Sequence, residues 1–186
     1  MAKKKLIVRN EIEPVKLIAG FIYSSQDAYV SVLEEMENRF GPVQFESETF
    51  PFDYTDYYCE EMGNQLMRSF VSFENPVPPD SLRVSKLVTN EMERRYLNEN
   101  SGRLINIDPG LVGLANLVLA STKAYTHRVY LGDGIYAEVT LMYENKAFVP
   151  LPWTYPDYRR DDILQFLLRV RENLKEYIAA RRQNKL

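Results

Sequence analysis

From Val15 to Tyr23 the chain reads VKLIAGFIY, a short apolar run rich in β-branched and aromatic residues, which predicts a strand. The period then changes. Tyr29, Val32, Leu33, Met36 and Phe40 recur at helical spacing, behind Ser24 or Ser25 as cap and ahead of Gly41-Pro42 as stop. Val43 to Phe50 alternates and predicts a second strand, and Gln65 to Phe73 (QLMRSFVSF) predicts a third; Pro51 to Gly63 between them is irregular and aromatic. Pro76-Val77-Pro78-Pro79 marks a turn. Asp80 or Ser81 then opens a second helix to about Asn98, with Leu87, Val88, Met92 and Tyr96 on its apolar side. Leu104 to Ile107 predicts a fourth strand, closed by a turn at Asp108-Pro109-Gly110. Leu111 to Ala120 fits helix or strand and is read as a short helix. Arg128 to Leu131 and Ile135 to Tyr143 flank Gly132-Asp133-Gly134 as a hairpin. Asp161 to Arg182 is a long amphipathic helix striped by Ile163, Leu167, Val170, Leu174 and Tyr177. Its acids at the start and arginines at the end match the helix dipole.

The order strand, helix, strand, strand, helix, strand is that of a ferredoxin-like βαββαβ core. The expected fold class is therefore α+β: a mainly antiparallel sheet, extended by a β-hairpin and a long C-terminal helix. No linker rich in Gly, Ser or Pro divides the chain, so residues 1–186 are read as a single domain, with 1–12 as a flexible lead-in.

Composition narrows the class without naming a task. Hydrophobic residues make up 45% and charged residues 26% of 186, which is ordinary for a globular chain with a real core. The net charge of −3 offers no global basic field for nucleic acid or anionic membranes. Cys59 is the only cysteine, which excludes an internal disulfide and fits a reducing cytoplasm. His127 is the only histidine, so metal chemistry would fall to carboxylates alone; no metal site is assigned and no cofactor is indicated. The basic Met1 to Lys5 is followed only by Leu6-Ile7-Val8, too short for a secretory core, and no segment has the length to span a bilayer.

Chemistry-bearing side chains concentrate between Arg103 and Leu141. Strand pleating places Asn106 and Asp108 on one face, Tyr136, Glu138 and Thr140 on one face of the hairpin strand, and Arg68 with Phe70 and Ser72 on one face of the third strand. If helices cover the other side, these groups converge on a polar pocket; a solvated sheet face would alternate in the same way. Arg68, Arg103, Asn106, Lys123 and Arg128 are the candidate ligand-binding residues, suited to an anion. His127, Asp108 and Glu138 are the candidate catalytic set, with His127 able to move a proton near neutral pH. Asp108 is read as orienting His127, as a cation ligand, or as bonding its own turn. On the second helix Lys86, Thr89, Asn90 and Glu93 share a face, where Thr and Asn are mediocre helix formers. Trp153 to Tyr158 is read as an aromatic turn that packs.

Familiar signatures are missing: the chain has no GxxxxGKS/T phosphate loop, no GxGxxG, no HExxH and no GxSxG. Arg68-Ser69-Phe70-Val71-Ser72-Phe73 resembles the third-strand aromatic motif of RNA-recognition domains but lacks its glycine.

Six segments, PFDYTDYYCEEMG, LVTNEMER, RLINIDPG, LASTKAYTHRVYL, GIYAEVTL and WTYPDYR, occur in order over nearly the whole chain. In these the chain resembles a bacterial family known as domain of unknown function 4416. The resemblance implies a single-domain cytoplasmic protein and transfers motif positions without roles. Members sometimes carry a GTP-binding label. Asn145-Lys146-Ala147-Phe148 lacks the Asp of a guanine-recognition NKxD, so the sequence gives that label no support.

Three functional expectations follow. The first is a pocket for a small anionic or phosphorylated ligand, with catalysis left open. The second is a noncatalytic module that self-associates, as a homodimer, through the C-terminal helix or a sheet face. The third is RNA binding, which the charge disfavours.

Overall fold

The structure is a computed structural model describing residues 12–183, so the expectation for the first twelve residues falls, apart from Ile12, outside it. Its strands are β1 (Val15–Tyr23), β2 (Val43–Glu46), β3 (Phe50–Pro51), β4 (Met67–Val77), β5 (Ile105–Val112), β6 (Asn116–Ser121), β7 (Val129–Gly132), β8 (Ile135–Glu144) and β9 (Ala147–Pro150). Its helices are α1 (Gln26–Phe40), α2 (Cys59–Met62), α3 (Leu82–Glu93) and α4 (Asp161–Gln183). The fold is α+β. Nine strands form one open antiparallel sheet in the order β2-β4-β1-β5-β6-β8-β7, with β3 on β4 and β9 on β8. The predicted alternation appears as β1, α1, β2, β4, α3, β5. It describes only the part of the sheet before β6.

Several elements form for the reasons their residues suggest. Ser25 caps α1 by accepting from the Ala28 amide, and Gly41, at φ 97°, ends it. Asp133 and Gly134 take positive φ in the hairpin between β7 and β8. α4 runs one residue past its predicted end.

Other expectations are overturned. Asp108-Pro109-Gly110 is not a turn; it lies inside β5. A proline is tolerated there because of strand parity. Ile107, two residues earlier, points its amide and carbonyl away from β1, toward Glu93 and Lys86 of α3. Pro109 shares that parity, so its missing N–H removes no bond to β1. Leu111 to Ala120 is not a helix; it forms the end of β5 and most of β6, joined through Gly113 to Asn116. α3 stops at Glu93 because Asn98 builds a tight turn instead: its Oδ1 accepts from the Asn100 and Gly102 amides, at 2.9 Å each. Only glycine fits at 102, where a Cβ would lie 2.2 Å from the Glu61 carbonyl oxygen. β9, unforeseen, follows a turn in which Asn145 and Lys146 adopt positive φ.

β1 is buried on both faces. Leu17, Ala19, Phe21 and Tyr23 join Val71, Phe73, Ile105 and Ile107 under α1 and α3. On the opposite face Ile18 and Phe70 join Leu117, Leu119 and Leu141 under α4. Register shifts between Leu117 and Val118, so in β8 Leu141 faces α4 while Ile135 and Ala137 face α3. Simple alternation predicts Ile135, Ala137, Val139 and Leu141 on one face; the bulge breaks that alternation.

One break in the sheet matters most. β5 pairs with β1 from Ile105 to Val112, but with β6 only from Gly110 to Val112. Among the described residues, its first half has no strand on that side.

Candidate functional site

The divergence of β5 and β6 opens a cavity of about 460 Å³. Its floor is Arg68, Ile22 and Asn106, successive neighbours across β4, β1 and β5, with Asp108 two residues beyond Asn106. Lys86, Asn90 and Glu93 of α3 close one side, and β6, the loop after it and Glu138 of β8 close the other. The segments around Phe52–Tyr58 and Tyr155–Tyr158 form the mouth.

Arg68 is fully buried at the base. Its Nη2 pairs with Asp157 at 2.8 Å, and its Nη1 lies 3.7 Å from Asp108 Oδ2. The guanidinium carbon sits 4.4 Å from the centre of the Phe70 ring. Gly20 makes this possible: a Cβ there would lie 3.0 Å from Arg68 Nη2 and 3.1 Å from the Tyr158 hydroxyl. Burial works against the charge, but Asp157 foremost, with Tyr158, Asp108 and Tyr58, more than offsets it and strengthens the guanidinium's hold on its proton. Burial likewise pushes the Tyr158 and Tyr58 phenols above their ordinary values. Among the described residues, Arg68 Nε and Nη1 and the Tyr158 hydroxyl have no hydrogen-bond partner.

A second group fastens the open flank of β5. Glu93 Oε1 accepts from the Ile107 amide at 2.9 Å, and Lys86 Nζ donates to the Ile107 carbonyl at 2.6 Å, so two side chains replace the missing strand. Arg103 spans Glu93 Oε2 and Asn106 Oδ1 through Nη1, and binds both oxygens of Glu61 through Nε and Nη2. The Arg103 hydrogen bond holds the Glu61 carboxyl below the ordinary carboxylate range. The same pair raises Arg103. This ties α2, on the mouth segment, to the body.

The third group surrounds Glu138, which is 2% exposed. Its Oε2 accepts from Arg128 Nε at 2.7 Å and lies 3.0 Å from His127 Nε2. Arg128 is used up by Ser121, the Lys123 carbonyl and the Tyr155 hydroxyl as well. Burial lowers its affinity for protons, yet the Glu138 contacts leave it raised. His127 stacks on Trp153 with ring centres 4.8 Å apart. Lys123 differs from the other cations: its Nζ rests 3.8 Å from the centre of the Tyr57 ring, and no carboxylate lies within 4.0 Å of it among the described residues.

Thus Arg68, Arg103, Asn106, Asp108, Lys123, Arg128 and Glu138, spread over the sequence, share one cavity wall. The catalytic trio is not brought together. His127 and Glu138 touch, but Asp108 contacts Asn106, Arg68 and Lys86, so Glu138 and not Asp108 orients the histidine. Sequence reasoning missed Asp157 and Tyr158 as wall residues and Glu61 as the partner of Arg103; nothing local in their patterns marks them. It did single out the face of α3 carrying Lys86, Asn90 and Glu93, and that face lines the cavity. The aromatic turn packs as expected at Trp153, whose Nε1 donates to the Val139 carbonyl, while its other end enters the site. The Phe70 and Phe73 rings of the motif similar to RNA-recognition domains lie in the two cores. Among the described residues no cluster of three or more His, Cys, Asp or Glu side chains is arranged to hold a metal, and no helix is long and apolar enough to cross a membrane.

Residues 13–174 match the sequence profile of a family described as Domain of unknown function (DUF4416), and the chain belongs to that family. No curated protein and no solved structure matches it.

Proposed function

We propose that the cavity between β5 and β6 binds a small anionic or phosphorylated ligand. What carries the reading is a contrast of charge. The whole chain has net charge −3. Yet the cavity wall holds five cationic side chains, Arg68, Lys86, Arg103, Lys123 and Arg128, against the four carboxylates Glu93, Asp108, Glu138 and Asp157. Four of the cations are consumed by internal partners. Glu61, which binds Arg103 from outside the wall, completes that balance, and Lys123 remains to meet a ligand directly. The unsatisfied donors of Arg68 and Tyr158 belong to residues of the same wall. The volume suits a small molecule. Glu138 with His127 can hold or pass a proton at the wall, so catalysis is compatible with this reading without being required by it. The single cysteine fits the cytoplasmic setting that goes with the proposal.

The test is titration calorimetry with inorganic phosphate and pyrophosphate on the wild type and on Lys123→Ala, with melting curves of both. Lys123 is exposed, so its truncation should leave the melting temperature unchanged. Losing one charge-assisted contact should weaken binding about tenfold, and more at low salt. Saturable binding by neither anion, or equal binding by wild type and variant, would defeat the reading.

One observation favours a second reading, self-association. β7 is a sheet edge, and its Val129, Tyr130 and Leu131 are exposed. Light scattering giving a strict monomer at micromolar concentration would remove it.

A further inference from the structure

We infer that the ligand is a zwitterion: a primary amine whose ammonium group meets Asp108 and whose acid group, phosphate or carboxylate, is held at Lys123. The inference rests on the anion-site reading and specifies the other end of the molecule.

The charges around the cavity balance in number but not in place. On the β5 and α3 side, Arg68, Lys86 and Arg103 meet four carboxylates: Asp157, Glu93, Glu61 and Asp108. Arg68 is taken by Asp157 at 2.8 Å. Arg103 is taken by Glu61 and Glu93, each at 2.6 Å. Lys86 gives its shortest contact to the Ile107 carbonyl, and stands almost midway between Glu93 at 3.5 Å and Asp108 at 3.6 Å. Three cations therefore leave one negative charge over, and Asp108 is where it is open. Asp108 Oδ2 accepts from the neutral Asn106 amide at 3.0 Å, while Arg68 stays 3.7 Å away. The Asp108 side chain is 28% exposed, whereas those of Asp157 and Glu93 are nearly sealed. On the β6 and β8 side the excess has the other sign. Arg128 is matched by Glu138, and Lys123 has no carboxylate within 4.0 Å among the described residues.

The two unmatched charges stand on opposite banks of one gap. Continuing the register in which Gly110 faces Leu119 would set Asp108 across from Ser121, and Asn106 across from Lys123. A short molecule with opposite charges at its ends suits such a pair of banks, and each end removes an imbalance that the protein leaves open. Lys123 rests on the Tyr57 ring, but an exposed cation–π contact is weaker than a charge-assisted hydrogen bond, so the ring steadies the ammonium without claiming it. The mouth agrees with a cationic visitor, since its rings already attract cations: Tyr57 holds Lys123, and Tyr125 holds Arg128. A metal ion is a poorer occupant for Asp108, because among the described residues no group of three His, Cys, Asp or Glu side chains is arranged around one.

The experiment is calorimetric titration of the wild type, Asp108→Asn and Lys123→Ala, with EDTA present so that no divalent cation bridges ligand and carboxylate. The probes are aminobutyl, hydroxybutyl and pentyl phosphate, which differ only at the end remote from the phosphate, and the aminoethyl, hydroxyethyl and propyl esters as a shorter set. γ-Aminobutyrate and pentanoate repeat the comparison with a carboxylate, and the aminated acid that binds tighter identifies the anionic end. In the wild type an ammonium-ended probe should bind at least about tenfold tighter than its methyl-ended counterpart, and tighter than the hydroxyl-ended one. Asp108→Asn should abolish most of that gain while leaving the methyl-ended phosphates bound as well or better, because a negative charge has left the wall. Those opposite signs cannot come from unfolding, and the wild-type comparison stands even if Asp108→Asn folds poorly. Lys123→Ala should weaken all the phosphates about tenfold and leave the ammonium gain in place. No ammonium gain in any series, a hydroxyl that serves as well, or a gain that survives Asp108→Asn would overturn the inference while the anion site stands. Failure of every probe to bind the wild type would remove both.

Discussion

Arg68 and Asp157 give the sharpest test of what holds the cavity floor in place. Asp157→Asn preserves the shape of the side chain and removes only its charge. In the wild type the pair is 2.8 Å apart with both side chains nearly sealed from water, at 1% and 4% exposure. Removing one member of such a pair strands the other, at a cost of about 3–5 kcal/mol. The lower end applies here. Asparagine keeps an oxygen acceptor, and Asp108 stays 3.7 Å from Nη1 as partial compensation. A loss of about 3 kcal/mol in a chain of this size lowers the melting temperature by about 6–12 °C. The assay is urea and thermal unfolding of the wild type, Asp157→Asn, Arg68→Met and the double variant Arg68→Met with Asp157→Leu. The urea slope should not change, so that the midpoint reports stability. Because a buried pair is often matched by apolar groups of similar volume, the double variant should recover to within about 1 kcal/mol of the wild type, against two damaged singles. If Asp157→Asn stays within about 0.5 kcal/mol of the wild type, the carboxylate is not what balances Arg68.

Glu93→Ala should be among the most damaging changes on α3, by about 3–5 kcal/mol in urea unfolding, since it strands the Ile107 amide, Lys86 and one donor of Arg103 together. Gly20→Ala should destabilise by about 1–3 kcal/mol, because the new methyl would stand 2.9 Å from Phe70 Cε1 as well as against Arg68 and Tyr158; an unchanged melting curve would mean the floor yields freely. Glu61 has a depressed carboxyl in the folded chain, so its contribution is present above the ordinary glutamate value and lost as pH falls through the lower folded one. The wild type should therefore melt above Glu61→Gln at neutral pH, and the two curves should converge below about pH 4; a gap that persists in acid would contradict the ion-pair account.

The same residues explain why some of this architecture was legible in the sequence and some was not. Where a segment answers to its own neighbours, the pattern sufficed: Ser25 caps a helix whose stripe is local, and Asp133-Gly134 turns a hairpin whose two strands are adjacent. β5 answers to distant partners. Asp-Pro-Gly carries every local sign of a turn, yet β1 supplies a full antiparallel ladder on one side, and strand parity sends the missing proline amide to the other. What lies on that other side is α3, whose Lys86 and Glu93 satisfy Ile107. Proline cannot donate to a neighbouring strand at this position, so β6 joins only from Gly110 onward. The misread turn and the cavity thus have one physical origin. A residue that donated at position 109 would remove one obstacle to β6 closing on β5, and closure would bring Leu119 and Ser121 toward the space that Asn106 and Asp108 now face. For that reason the polar residues could be named from the sequence, because pleating fixes which of them share a face. Their convergence was not legible, because it depends on a ladder left unfinished and on the helix that occupies the gap.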